Sequence, residues 1–167
     1  MEKYDLVVIG AGPSGYAAAM RALDFKRKVL LIEKNKVGGA GVTNGALSSK
    51  TWWELSREAA GFRKSLKRYN IKAPEISYRE IQGEVRKAVE ERLTMLEEHM
   101  DLLRDSKLLS FKTGTAKLIS QHEVEIVNGY NREVVATDFI ILATGSRPRF
   151  LPEIPIDEKI VMTSDGI

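Results

Sequence analysis

The chain contains no cysteine. That single absence excludes structural disulfides, thiolate metal sites and cysteine nucleophiles. Histidine is nearly as scarce, with two in 167 residues. His99 and His122 have no third His and no Cys to complete a metal-ligand set, so no metal site is expected and both read as surface or helix histidines. Long apolar runs are missing as well: nothing approaches the roughly 18 residues of a membrane span. The N-terminus enters a strand directly, without a basic-then-apolar leader, so no signal peptide is expected. Together these point to a cytoplasmic protein without membrane attachment. Charge of one sign is lacking too. The 26 Lys and Arg are interleaved with 23 Asp and Glu, for a net charge of +3. Arg57, Arg63, Lys64, Lys67 and Arg68 form the one basic cluster, which reads as the solvated face of a helix rather than a nucleic-acid patch.

What is present is enough for one domain with a sizeable core. Its opening is the most specific stretch. Val7-Val8-Ile9 is a short apolar run, and Gly10-Ala11-Gly12-Pro13-Ser14-Gly15 follows it. An Ala-rich helical segment then leads to Val29-Leu30-Leu31-Ile32-Glu33. Strand, glycine turn, helix, strand and acid make a socket for a dinucleotide. Gly10 permits the tight turn. Gly12 leaves room for a pyrophosphate where a Cβ would intrude. Gly15 lets the helix pack close to the strand. Pro13 suits the first helical turn, where its missing N–H costs nothing. The unpaired amides there carry a partial charge of about +0.5 toward the phosphates. Glu33 is placed to accept hydrogen bonds from ribose hydroxyls, and it disfavours a 2′-phosphate.

Further along, residues 4–9 and 28–33 read as strands and 13–25 as a helix. Val37 to Gly41 reads as a glycine-rich loop. Leu47, Trp52, Leu55, Ala59, Phe62, Leu66 and Tyr69 recur at helical spacing. Trp52 and Trp53 are adjacent and cannot share a helix face. One belongs to the core; the other packs on a neighbouring element or a ligand. Ser77 to Glu80 is a capping box, with Ile76 and Ile81 as its staple. The helix it opens carries Ile81, Val85, Val89, Leu93, Leu96, Met100 and Leu103 on one stripe. After Asp105 the pattern turns to β. Residues 108–118, 122–127 and 132–135 form an antiparallel meander with a turn at Asn128-Gly129. Thr137 to Ser146 reads as a separate buried strand ending in a small-residue turn.

These residues resemble the N-terminal FAD-binding segment of the pyridine nucleotide–disulfide oxidoreductases. Four features carry the resemblance over essentially the whole chain. They are Gly10 to Gly15 with Glu33, the loop from Gly38-Gly39 to Lys50, Gly114-Thr115-Ala116, and Ala143-Thr144-Gly145-Ser146-Arg147-Pro148. Ser164-Asp165 also fits, as a pair that precedes the family's NAD(P)-binding domain. The implied fold is a doubly wound α/β domain of the FAD-binding Rossmann type, with an inserted helical pair and a β-meander. The implied cofactor is FAD, with NAD(P)H as reductant of the parent protein. By the resemblance, Gly10, Gly12, Pro13, Ser14 and Gly15 form the pyrophosphate turn. Glu33 and Lys34 border the adenosine ribose. Gly39 and Ala40 line the pyrophosphate and ribityl path, and Thr115 and Ala116 touch the adenine. Ala143, Thr144 and Gly145 pass close to the cofactor. Lys50 is the one candidate for a catalytic part, as a cation near the flavin's reactive edge.

The departures from the family pattern are equally informative. Disulfide-reducing members hold two cysteines between the double glycine and the lysine; the aligned positions here are Gly41 and Ala46. Ala40 stands in place of the family's Thr, and Ser48 in place of its Pro. Full members also have an NAD(P) domain and a dimerisation domain with a catalytic His, and neither His99 nor His122 aligns with that residue. The expectation is therefore an N-terminal fragment, residues 1–167, of a longer flavin-dependent oxidoreductase whose electron acceptor is not a disulfide. The isolated chain is expected to be inactive and to self-associate as a homo-oligomer. The alternative is a dinucleotide-binding or regulatory module without redox turnover.

Overall fold

A computed structural model describes residues 1–43, 45–104 and 106–163; Ser164-Asp165 lies outside them. The elements run β1 (Lys3–Ile9), α1 (Pro13–Asp24), β2 (Val29–Glu33), α2 (Gly39–Val42), α3 (Ala46–Arg68), α4 (Tyr78–Arg104), β3 (Leu109–Thr113), β4 (Thr115–Leu118), β5 (Glu123–Asn128) and β6 (Asn131–Leu142). One six-stranded sheet has the order β3-β2-β1-β6-β5-β4. The pairs β3/β2, β2/β1 and β1/β6 are parallel, whereas β6/β5 and β5/β4 are antiparallel.

The apolar runs of β1 and β2 are continuous because both faces of the parallel sheet are covered. Leu6, Val8, Val29 and Leu31 point to the helices and join a core with Ala19 of α1 and Leu96 and Met100 of α4. Val7, Ile9, Leu30 and Ile32 point the other way and meet Val124, Ile126 and Val135 of the meander. The parallel strands thus lie between a helical layer and the meander. Tyr4 breaks the alternation: it joins the meander side although Leu6, two residues on, faces the helices. Between them, the amides of Asp5 and Leu6 both donate to the Lys28 carbonyl, a local bulge that turns the side chain over.

The expected α/β architecture is present, with corrections of detail. The Val37–Gly41 stretch is not all loop, since α2 begins at Gly39. Residues 108–118 are not one meander strand. The chain divides at Gly114, whose amide donates to the Glu33 carbonyl. The residues before Gly114 pair with β2, and those after it pair with β5. Thr137 does not start a new strand, because β6 runs unbroken from the meander into the parallel sheet. Nor is its second half buried throughout: Thr137 is, but Phe139, Ile141 and Leu142 are exposed. The apolar stripe of α3 is half-buried at Leu47, Trp52, Leu55, Ala59 and Leu66, but Phe62 and Tyr69 are exposed. The stripe of α4 holds, with Val85, Leu96 and Met100 buried. At its start the Ile81 amide donates to the Ser77 carbonyl.

Candidate dinucleotide site

The C-terminal ends of β1, β2 and β6 converge on the glycine turn. The Gly10 amide donates to the Ile32 carbonyl at 2.8 Å and the Ala143 amide to the Ile9 carbonyl at 2.8 Å. The Gly38 amide donates to the Ala11 carbonyl at 2.8 Å. The turn is therefore tied to β2, to β6 and to the segment leading into α2. Gly10 has φ +104°, and a Cβ there would lie 2.3 Å from the Ala143 carbonyl oxygen. At Gly15 a Cβ would lie 1.8 Å from the Gly10 carbonyl oxygen. Both positions demand glycine for packing. Gly12 differs: nothing lies within 4 Å of where its Cβ would be. It faces open space, and its carbonyl accepts the first bond of α1 from Tyr16. No side chain caps α1, so the amides of its first turn are left for water or an anion.

The turn opens on a cleft of about 1250 Å³. Of the residues singled out in the sequence, Gly10, Gly12, Pro13, Ser14, Glu33, Lys34, Gly39, Ala40, Thr115, Ala116, Ala143, Thr144 and Gly145 line it. Gly15 does not, being buried beneath the turn. Lys50 does not either: it is exposed on α3, outside the cleft walls. Glu33 Oε2 accepts from the Ala11 amide at 2.7 Å and Oε1 from the Asn35 amide at 2.9 Å. The carboxylate thus fixes the shape of the turn, and each oxygen keeps lone-pair capacity toward the cleft.

Sequence reasoning missed part of the wall. Ser48 lines the cleft and is buried, its hydroxyl donating to the Gly45 carbonyl. Thr43, half-buried just after α2, also lines the cleft and donates to the Gly39 carbonyl. Arg86, Val89, Glu90 and Leu93 line it from α4. Their 86/89/90/93 spacing was readable as one helix face, but nothing local says that this face meets the glycine turn. Gly41, one of the two sulfur-free loop positions, abuts α1: a Cβ there would lie 2.3 Å from Pro13 Cγ. The two histidines lie elsewhere. His99 shares a hydrogen bond with the Tyr16 hydroxyl, and His122 Nδ1 meets the Thr137 carbonyl at 3.1 Å.

The family model for pyridine nucleotide-disulphide oxidoreductases matches residues 4–165. The chain belongs to that family. Among its relatives in the pyridine nucleotide-disulphide oxidoreductases is a dihydrolipoyl dehydrogenase from Chlamydia pneumoniae. It is 34% identical over 99% of this chain and 35% of its own length. A dihydrolipoyl dehydrogenase from Bacillus subtilis is 31% identical, over 98% of this chain and 36% of its own length. The chain therefore spans about a third of the length of these relatives. Among solved structures, LpdA from Mycobacterium tuberculosis superposes with a TM-score of 0.82 at 22% identity, covering 100% of this chain and 37% of LpdA. That likeness concerns the fold. No helix among the described residues is long and apolar enough to cross a membrane.

Proposed function

We propose that this chain is the FAD-binding part of a flavin-dependent oxidoreductase that takes hydride from NAD(P)H and delivers electrons to an acceptor other than a disulfide. One observation carries the reading. The uncapped start of α1 and the open face of Gly12 look into a cleft whose walls bring together residues of all four separate motifs. The residues fit the cofactor: the cradle is the space a Cβ at Gly12 would fill, and Gly145 is equally open. When bound, FAD supplies the hydride-accepting chemistry. The chain's own residues bind and orient. The first-turn amides of α1 hold the pyrophosphate, Glu33 holds the ribose hydroxyls, and the Thr115-Ala116 backbone borders the adenine. Lys50 is given no part, since it stands outside the cleft walls. Positions 41 and 46 carry no sulfur, which leaves a second nicotinamide nucleotide, a quinone or oxygen as acceptor for the whole protein. The reading includes a homo-oligomer, supported by the uncovered apolar strip of Phe139, Ile141 and Leu142.

The test is titration with FAD, followed by flavin absorbance and fluorescence. The parent chain should bind, and Gly12→Val should fold yet lose binding, because the valine meets ligand and not protein. Equal FAD affinity in Gly12→Val would show that the cofactor does not sit at this turn.

A further inference from the structure

The cleft has a wall that the glycine motifs do not supply. Arg86, Val89, Glu90 and Leu93 occupy one face of α4, and all four line the cleft. Val89 and Leu93 anchor that face against the core cluster that holds Ala11 of the glycine turn and Val42 of α2. The backbone beside Arg86 is fixed as well, because Val85 is buried. Arg86 is therefore a flexible cation on a rigid mount, one turn from residues packed against the core cluster that includes Ala11.

Among the described residues no carboxylate pairs with its charge. Three helical arginines take a carboxylate three residues away, Arg21 with Asp24, Arg57 with Glu54 and Arg104 with Asp101, whereas Arg63, Arg68, Arg79 and Arg92 are, like Arg86, in no ion pair among the described residues. Among the described residues Arg86 forms no such ion pair, although Glu90 stands one turn further along the same face. Two acids of the cleft already accept hydrogen bonds from other groups. Glu33 accepts from two backbone amides, and Glu158 accepts from the Thr163 amide and hydroxyl. The glycine turn offers an anion only backbone amides, with a fractional charge of about +0.5 at the helix start. No residue of the Gly10–Gly15 turn carries a full positive charge; among the described residues the cations that line the cleft are Lys34, Lys36, Arg86 and Arg147, and of these Arg86 alone stands on a helix. Guanidinium suits that role, since its planar fork matches phosphate oxygens two at a time.

We propose that Arg86 is the side-chain cation that grips the diphosphate of the bound dinucleotide from the α4 wall. This deepens the reading of the cleft as a dinucleotide site and rests on it. It makes α4 part of the binding site as well as a packing helix.

The experiment is calorimetric titration of FAD, ADP and adenosine into the parent chain, R86Q and R86K, repeated at low and high salt. R86Q is expected to weaken FAD and ADP by about 10- to 100-fold, to leave adenosine unchanged, and to flatten the salt dependence of FAD binding. R86K should recover part of the loss. R86Q binding both diphosphates as tightly as the parent would overturn the assignment. So would an equal loss for adenosine, which has no phosphate to grip. A parent chain that binds ADP but not FAD would overturn the flavin reading, and the ADP titrations would then decide Arg86 on the same criterion. A parent chain that binds neither would overturn both.

Discussion

The parallel strands and the α3–α4 hairpin are built on opposite terms. In β1 and β2, Val7, Val8, Leu30 and Leu31 are wholly buried, and Gly10 and Gly15, between strand and helix, are hemmed in by backbone. Along the 23 residues of α3, Ser48 is the one buried position. Its neighbours are α2 and α4, and Trp53, Phe62 and Tyr69 stay exposed. The strands are held by many mutually exclusive demands, and the hairpin by one helix–helix seam with Trp52 stacked on Tyr78 at 5.0 Å. The same substitution should therefore have opposite consequences in the two regions.

The largest expected effect is at Gly15. Gly15→Ala places a methyl 1.8 Å from a backbone oxygen, and the variant should lose its cooperative urea transition. Retained folding would mean that α1 can move off β1. Next, Leu31→Ala should lower unfolding free energy by about 2–5 kcal/mol through lost burial and the cavity left behind, read from the shift in urea midpoint.

Tyr4 tests the same layer by pH. Burial pushes its phenol up to about 12 from an ordinary value of 10.0. Its hydroxyl, close to Ser110 and Glu2, makes no hydrogen bond of normal geometry. The unfolded chain therefore ionises first. The stabilisation is complete below pH 10 and lost as pH rises toward 12, on the order of 2 kcal/mol. Tyr4→Phe should abolish that alkaline slope; an unchanged slope would assign it to other groups.

The hairpin should answer differently. Gly61 of α3 and Gly83 of α4 have nothing within 4 Å of where a methyl would sit, so Gly61→Ala and Gly83→Ala should each stabilise by about 0.5–1 kcal/mol through helix propensity, read as a rise in urea midpoint. Trp53→Ala should change stability by no more than about 0.5 kcal/mol. A large loss there would reveal a contact for α3 that the described residues do not make.

The same contrast explains what could be read in advance. The strand–turn–helix unit was legible because each glycine answers a local demand of the backbone, and such demands leave fixed spacings. Helix boundaries were legible at α3 and α4 for a similar reason. What was hidden depended on distant partners. Alternation over residues 108–118 looks alike whether the strand pairs parallel or antiparallel, and only the division at Gly114 separates them. The apolar run 139–142 resembles a buried strand, yet only Ile140 packs against the core, and Phe139, Ile141 and Leu142 are exposed. Arg86 and Glu90 looked like any solvated face until α4 was placed beside the glycine turn. Lys50 carried its expectation through a motif alone, and in this structure it lies outside the walls.

β6 joins parts that most folds keep separate. Its 12 residues span about 40 Å at roughly 3.3 Å each. At Ala136 it is in register with Glu123 on one side and Lys3 on the other. An extended strand barely stretches, so it behaves as a pushrod. Any displacement of the Ala143-Thr144-Gly145 end along the strand would carry Val134 and Val135, and the meander, with it.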